Sequence, residues 1–228
     1  MKLFVLACGL LALTSAHGAF SVSTYAWGSS DAAMGVSGFT IEDFEDVNLV
    51  GGLQVSVSSP NGGYGPTSTL PSTFKPTDDT FGTAFQIGGG GAWDGVHGLI
   101  NTRTNQTFTY SDSGSYGLAT FHFLGGASSA GFSVHQMDRD ARVLVNGNSI
   151  GTVAGLTSGF LVNNGRHGFM RIDANGNDVI NTLAIQDIQG FGDGYMFDHV
   201  AFNAVPEPFS MVAMGAGLLA LARRRRRA

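Results

Sequence analysis

Short runs in which apolar and polar residues alternate, broken every few positions by glycine, constrain this chain more than any other feature. Phe39–Phe44 is FTIEDF and Leu53–Val57 is LQVSV, the period-two pattern of strands with one face buried. The pattern returns in TAFQI (83–87), TFTY (107–110), LATFHFL (118–124), AGFSVHQM (130–137), GFMRID (168–173), VINTLAIQDI (179–188) and YMFDHVAF (195–202). In RVLVNGNSIGTV (142–153), Val143 and Val145 alternate, Asn146-Gly147 supplies a two-residue turn, and Ile150 and Val153 begin the return. The 34 glycines lie scattered among aromatic and β-branched residues, as turns between strands require. Ser59–Thr80 holds four of the six prolines and no period, which predicts a long surface loop. Hydrophobic residues make up 43% of the 228, enough for a packed core. The expectation is an all-β fold, an antiparallel two-sheet β-sandwich of jelly-roll type over residues 37–203, with no helix outside the termini. Residues 20–36, small and polar, read as a loose lead-in.

Charge is unevenly placed. Lys2 lies near the start and Glu207 with five arginines lies in the last 24 residues, so the body between carries six basic residues against sixteen acidic ones, about −10. Nucleic-acid binding, which needs a basic stripe, is excluded on that ground. An acidic body suits cation binding or a solvated extracellular surface. The single cysteine, Cys8, falls in the N-terminal segment, which leaves the body without a disulfide or a thiol nucleophile. An exported domain of this kind relies on its core, on metal, or on both.

The two ends read as addresses. Lys2, the apolar run Leu3–Leu13 and the small residues Thr14-Ser15-Ala16 predict a Sec signal peptide over residues 1–19, with cleavage after Ala16 or Ala19. At the other end, over residues 204–228, Val205-Pro206-Glu207-Pro208 precedes 14 uncharged residues, Phe209–Ala222, and then Arg223, Arg224, Arg225, Arg226 and Arg227. As a helix that run spans roughly 21 Å against a bilayer core of about 30 Å, a short transmembrane helix. The arginines hold its far end in the cytoplasm and leave the body outside. Two prolines keep the tetrapeptide extended at the membrane surface.

Motif, span, arginine cluster and terminal position together resemble the PEP-CTERM sorting signal, also called the ice-binding protein C-terminal domain. The resemblance implies processing by an exosortase, transient anchoring in the inner membrane, delivery to the cell surface or extracellular matrix, and a link to exopolysaccharide or biofilm. Val205, Pro206, Glu207 and Pro208 are then recognition residues. TIEDFED and GDGYMFDHVAFNAVPEP resemble the first and last strands of the β-sandwich ectodomains found ahead of such tails, and of carbohydrate-binding jelly rolls.

Three constellations are candidate sites. Glu42, Asp43, Glu45 and Asp46 place four carboxylates in five positions, and hard oxygen ligands suit Ca²⁺. In the jelly rolls just named, an acidic residue from the first strand and one from the last share a structural Ca²⁺, so Glu45, Asp46 and Asp198 are the expected metal ligands. The same carboxylates equally suit a solvated acidic edge strand. MDRDAR (137–142) and RIDANGND (171–178) have calcium-like spacings, but the second misplaces its glycine for an EF-hand, and turn chemistry accounts for both. Trp93, with Asp94, His97, Tyr110, Tyr116 and Tyr195, offers an aromatic platform with polar partners for carbohydrate, or else a core tryptophan.

The six histidines, His17, His97, His122, His135, His167 and His199, lack metal-ligand spacing, and no G-x-S-x-G elbow occurs. Regular Thr-x-Thr arrays suited to ice are absent. The sequence therefore predicts a non-enzymatic structural or adhesive surface protein whose partners are an exosortase, the membrane and extracellular polysaccharide. The alternatives are a carbohydrate-binding module with structural Ca²⁺ and a polysaccharide hydrolase.

Overall fold

The computed structural model describes residues 15–17, 19–58, 63–72, 77–78, 93–95, 97–100, 118–137, 140–156, 161–162, 165–187 and 196–205. Its strands are β1 (Ser15–His17), β2 (Phe20–Ala26), β3 (Thr40–Glu42), β4 (Leu53–Ser58), β5 (Tyr64–Thr67), β6 (Thr77–Asp78) and β7 (His97–Ile100). They continue with β8 (Leu118–Met137), β9 (Ala141–Val145), β10 (Asn148–Thr152), β11 (Leu161–Val162), β12 (Gly165–Ala174), β13 (Ile180–Asp187) and β14 (Met196–Ala204). Two helices of four residues each, α1 (Asp31–Met34) and α2 (Val153–Leu156), complete the described elements. The expected strands at 83–87 and 107–110 lie outside the described residues, as do 59–62, 73–76 and 79–80 of the expected loop. Where 59–80 is described it is not all loop, since Tyr64–Thr67 forms β5 against β4 and Thr77–Asp78 forms β6 against β7, pairings with strands that local pattern does not reveal.

All described pairings are antiparallel and join one curled sheet. The all-β antiparallel class thus stands, while one connected sheet takes the place of the two separate sheets expected. The reason is β8. LATFHFL and AGFSVHQM, expected as two strands, form one strand of 20 residues. Its first half pairs with β4 and β13, and its second half with β12 and β14. Between the halves, Gly125 and Gly126 both adopt φ +81°. Ala119, Phe121 and Phe123 face the main core before them, and Ala130, Phe132 and Val134 after them. Odd positions up to Ala127 point inward, then even positions from Ala130 to Val134. Ala127 and Ser129 face the consecutive residues Ala204 and Asn203, so β8 carries one extra residue there, and a bulge of that kind changes the phase. The strand bends there instead of ending, so one backbone serves both halves of the fold.

Asn146-Gly147 turns as its residue types require, with φ 51° and 78°. The Asn146 side chain also accepts from the Asn181 and Thr182 N–H groups at 2.8 and 3.1 Å, pinning the hairpin to β13. Val153, expected in the returning strand, instead opens α2 and is fully buried. Residues 20–26, expected as part of a loose lead-in, form β2 and pair with β12 from Ala26↔Gly168 to Phe20↔Ala174. Phe20, Val22 and Tyr25 supply its apolar contacts, and the strand takes its hydrogen bonds from β12, which lies far along the chain.

The main core lies on the inner face of the curl. Phe121, Phe132 and Phe197 meet there, with ring centroids 5.2 to 6.1 Å apart. A second, smaller core covers the outer face, where Tyr25, Met34, Val36, Phe169 and Ala201 cluster with Trp93 partly buried against them. α1 serves this second core. Ser30 caps its start by accepting from the Ala33 N–H, and Gly35 ends it in the left-handed region. The single turn brings Met34 onto the sheet and presents Asp31 at its first position.

Candidate functional site at the bulge of the last strand

In β14, Phe197, Val200 and Phe202 all face the main core. Strict alternation from Phe197 would turn His199 inward. The ladder with β8 instead shifts register between Asp198 and Ala201, and His199 sits at φ 47°. A left-handed φ at a residue other than glycine is uncommon and marks a backbone held in place by its surroundings. This bulge sends the His199 side chain to the outer face, 5.8 Å from the Trp93 ring and 5.6 Å from the Phe169 ring.

Both ring nitrogens of His199, whose side chain is 3% exposed, face carboxylates. Nδ1 is hydrogen-bonded to Asp94 Oδ2. Nε2 lies 3.2 Å from Asp31 Oδ1, an ion-pair distance without hydrogen-bond alignment. Asp31 and Asp94 come from separate segments, the first turn of α1 and the loop before β7, and remain 43% and 36% exposed. One buried imidazole therefore faces two partly wet carboxylates over the outer face and is hydrogen-bonded to one of them, Asp94.

Asp198 organises the same loop from below. It is 3% exposed, and its Oδ2 accepts from the Trp93 and Asp94 N–H groups at 2.6 and 2.8 Å. Oδ1 accepts from the His199 N–H at 2.7 Å. Burial pushes its pKa up to about 8, with the Asp94 charge adding to the rise and the three N–H groups opposing it. Glu45 anchors the far end of the loop, accepting from the His97 N–H at 2.8 Å through Oε1 and facing His97 Nδ1 at 3.1 Å through Oε2. Gly95 passes so close to the Glu45 carboxylate that a Cβ there would collide with it.

The acidic run near the start works the same way. Glu42, 2% exposed, accepts from the Phe44 N–H at 2.8 Å and from the Val50 N–H at 2.6 Å. Its pKa is raised by burial, against the pull of those two N–H groups. Asp43 accepts from the Glu45 N–H at 3.2 Å, and Asp46 from the Asn48 N–H at 2.6 Å. The expected metal ligands Glu45, Asp46 and Asp198 are thus each engaged on different backbone groups. Among the described residues no group of three or more His, Cys, Asp or Glu side chains is placed to hold a metal ion. The acidic run near the start and the last strand adjoin by direct pairing of β3 with β14, Glu42 opposite Val200.

The other candidates also resolve locally. Asp173 accepts from Ser129 Oγ at 2.5 Å and from Arg171 Nε at 3.0 Å, while Arg171 Nη1 donates to the Met34 carbonyl at 2.6 Å. Asn175 to Asp178 closes a turn with a 3.2 Å backbone bond. Asp140 accepts from the Ala141 and Ala154 N–H groups at 3.0 and 2.8 Å. His122 is half-buried on β8, bonded across strands to Ser56 Oγ at 2.8 Å, and burial lowers its pKa. Tyr110, Tyr116 and Tyr195 lie outside the described residues, as do Pro206 to Arg227. Val205, the last described residue, donates its N–H to the Gly126 carbonyl at 3.0 Å, so the chain leaves the sheet beside the bend of β8.

Trp93, the expected carbohydrate platform, is partly buried and packs edge-on against Trp27, with centroids 4.9 Å apart. These are the two tryptophans of the chain. Trp27 and Asp31 were hidden in the segment expected as lead-in. The capping pair Ser30-Asp31 was their one sequence signal.

Comparison with known proteins assigns the end of the chain. The residues 204–227 match the family model of the PEP-CTERM protein-sorting motif. The protein is therefore one that carries a PEP-CTERM sorting domain, and the motif implies exosortase-dependent export to the cell surface. Among the described residues no helix is long and apolar enough to cross a membrane, and the expected span Phe209–Ala222 falls outside them. No curated protein and no solved structure matches the chain.

Proposed function

We propose that the protein is a non-catalytic component of the bacterial cell surface or extracellular matrix. In this reading it is exported by the Sec route, anchored briefly by Phe209–Ala222, cut near Val205–Pro208 by an exosortase, and retained in an exopolysaccharide layer as a structural or adhesive element. The sorting motif is the observation that carries the reading. The body supports it. Its acidic excess suits a solvated surface, and the loops of the outer face are fastened by carboxylates onto backbone N–H groups, without any disulfide. The experiment is to replace Pro206, Glu207 and Pro208 by alanine in a host with an exosortase, then to follow the chain by fractionation. Uncut protein accumulating in the inner-membrane fraction is the expected result. Normal trimming and surface delivery would overturn the sorting role of the motif.

A carbohydrate-binding role is favoured by one further observation, the two tryptophans set beside partly exposed carboxylates at the β14 bulge.

A further inference from the structure

We propose that Trp27, Trp93, Asp31 and Asp94 form a binding site for a glycan that carries no negative charge, a neutral or amino-sugar polymer, with His199 as the positioning residue beneath it. The proposal rests on the matrix-facing role given above and names the ligand chemistry for it.

The first support is placement. Both tryptophans come together on the outer face, although they stand in segments far apart in sequence. Their rings are partly exposed and edge-on to one another, and His167 stands edge-on to Trp27 with centroids 6.3 Å apart. Sugar rings present C–H-rich faces to aromatic rings and hydroxyls to polar groups at the rim. Such sites combine apolar contact with a few fixed polar groups.

The second support is construction. A carboxylate on an exposed loop is ordinarily free to turn, and holding it in one orientation on binding costs entropy. Here the bulge and the left-handed φ at His199 place a buried imidazole that is hydrogen-bonded to Asp94 and stands 3.2 Å from Asp31, which the first turn of α1 carries, so both carboxylates are positioned in advance. Asp198 fixes the backbone of Trp93 and Asp94 from below. The outer parts of both carboxylates stay in solvent, ready to accept from hydroxyl or ammonium groups.

The third support is charge. Asp31, Asp94 and Glu45 lie around the loop, and Arg171 is engaged by Asp173 and the Met34 carbonyl. The body as a whole is about −10. Like-charge repulsion excludes a uronic-acid polymer, and an amino sugar gains from charge-assisted bonds.

The test uses the purified full-length chain and three probes, a neutral β-glucan hexasaccharide, a chitosan hexasaccharide and an oligouronate of the same length. Both tryptophans are at the site, so intrinsic fluorescence reports binding directly. Saturable binding of chitosan or β-glucan, with at least tenfold weaker binding of oligouronate, is expected. Trp27→Ala should weaken the bound probe about tenfold, the size of one lost aromatic contact. Asp31→Asn should weaken chitosan more than β-glucan. His199→Gln should weaken both, and far-ultraviolet circular dichroism checks that it folds. Trp27→Ala and Asp31→Asn lie off the sheet core and keep the test valid if it does not. Failure of all three probes to bind, equal binding of oligouronate, or indifference to Trp27→Ala and Asp31→Asn would each overturn the proposal. Export, read by fractionation in the cell, fails or succeeds independently of this result.

Discussion

Replacing Asp198 by alanine tests whether carboxylates, rather than metal, hold the outer face together. The side chain is 3% exposed and accepts from three N–H groups, at 2.6, 2.7 and 2.8 Å. Removing it strips each donor of its acceptor. A donor left unsatisfied costs about 1–3 kcal/mol. Taking about 1 kcal/mol for each of the part-buried Trp93 and Asp94 donors and about 2 for the buried His199 donor gives about 4 kcal/mol. Relief from burying a carboxyl offsets about 1 kcal/mol of this, leaving about 3. For a chain of this size that lowers the melting midpoint by about 6–12 °C. Urea unfolding and amide hydrogen exchange are the assays. Protection should fall first at Trp93, Asp94 and His199.

The pH dependence gives a second reading of the same group. Burial raises the Asp198 pKa from its ordinary 3.8 to about 8. An acid with a raised folded pKa stabilises the fold fully below its unfolded pKa, and that contribution is lost as pH climbs through the folded value. Stability of the native protein should therefore decline between about pH 4 and pH 8, and Asp198→Ala should flatten this decline. A midpoint change below about 2 °C, with an unaltered pH profile, would refute the anchoring account.

Glu42→Ala should destabilise by about 2–4 kcal/mol in urea, since two backbone N–H groups lose a buried acceptor. Because burial raises the Glu42 pKa, the native contribution of this residue should also fade as pH rises past the ordinary carboxylate range. Gly131→Ala places a Cβ 2.5 Å from the Met170 carbonyl oxygen and 2.6 Å from Phe169 Cζ, so β8 and β12 must separate. A loss of about 1–3 kcal/mol on thermal unfolding is expected, with weakened Trp93 packing visible in fluorescence. Chelation by EDTA should leave the melting midpoint unchanged, since Glu45, Asp46 and Asp198 are engaged on backbone N–H groups. A drop that added Ca²⁺ reverses would restore the metal reading.

The alternation in LQVSV, RVLV and TLAIQ was sufficient to place β4, β9 and β13, because each buries one face and the period records which. Asn146-Gly147 likewise specified its turn locally. The sorting motif was legible in the sequence, since a sorting signal is read by other proteins as a linear address and needs no fold to be recognised. Local sequence could not say that LATFHFL and AGFSVHQM are one strand. Two glycines suit a turn and a bulge equally, and only the partners on either side of β8 decide between them. It could not make β2 a strand either, because residues 20–26 gain their hydrogen bonds from β12, which lies far along the chain.

The acidic residues show the same division. Composition established that they are many, and solvation or bridging cations were the means it offered to relieve their repulsion. Tertiary structure supplied a third, which is backbone N–H groups from loops distant in sequence. His199 is the sharpest case. Alternation in YMFDHVAF turns it inward, and the bulge turns it outward between Asp31 and Asp94. By itself the sequence determined the all-β class, the strands whose alternation records one buried face, the hairpin and the sorting motif, all of which depend on neighbouring residues. The curl of the sheet and the site at its outer face were decided by long-range pairing, where the energy of a contact belongs to residues that the sequence does not place side by side.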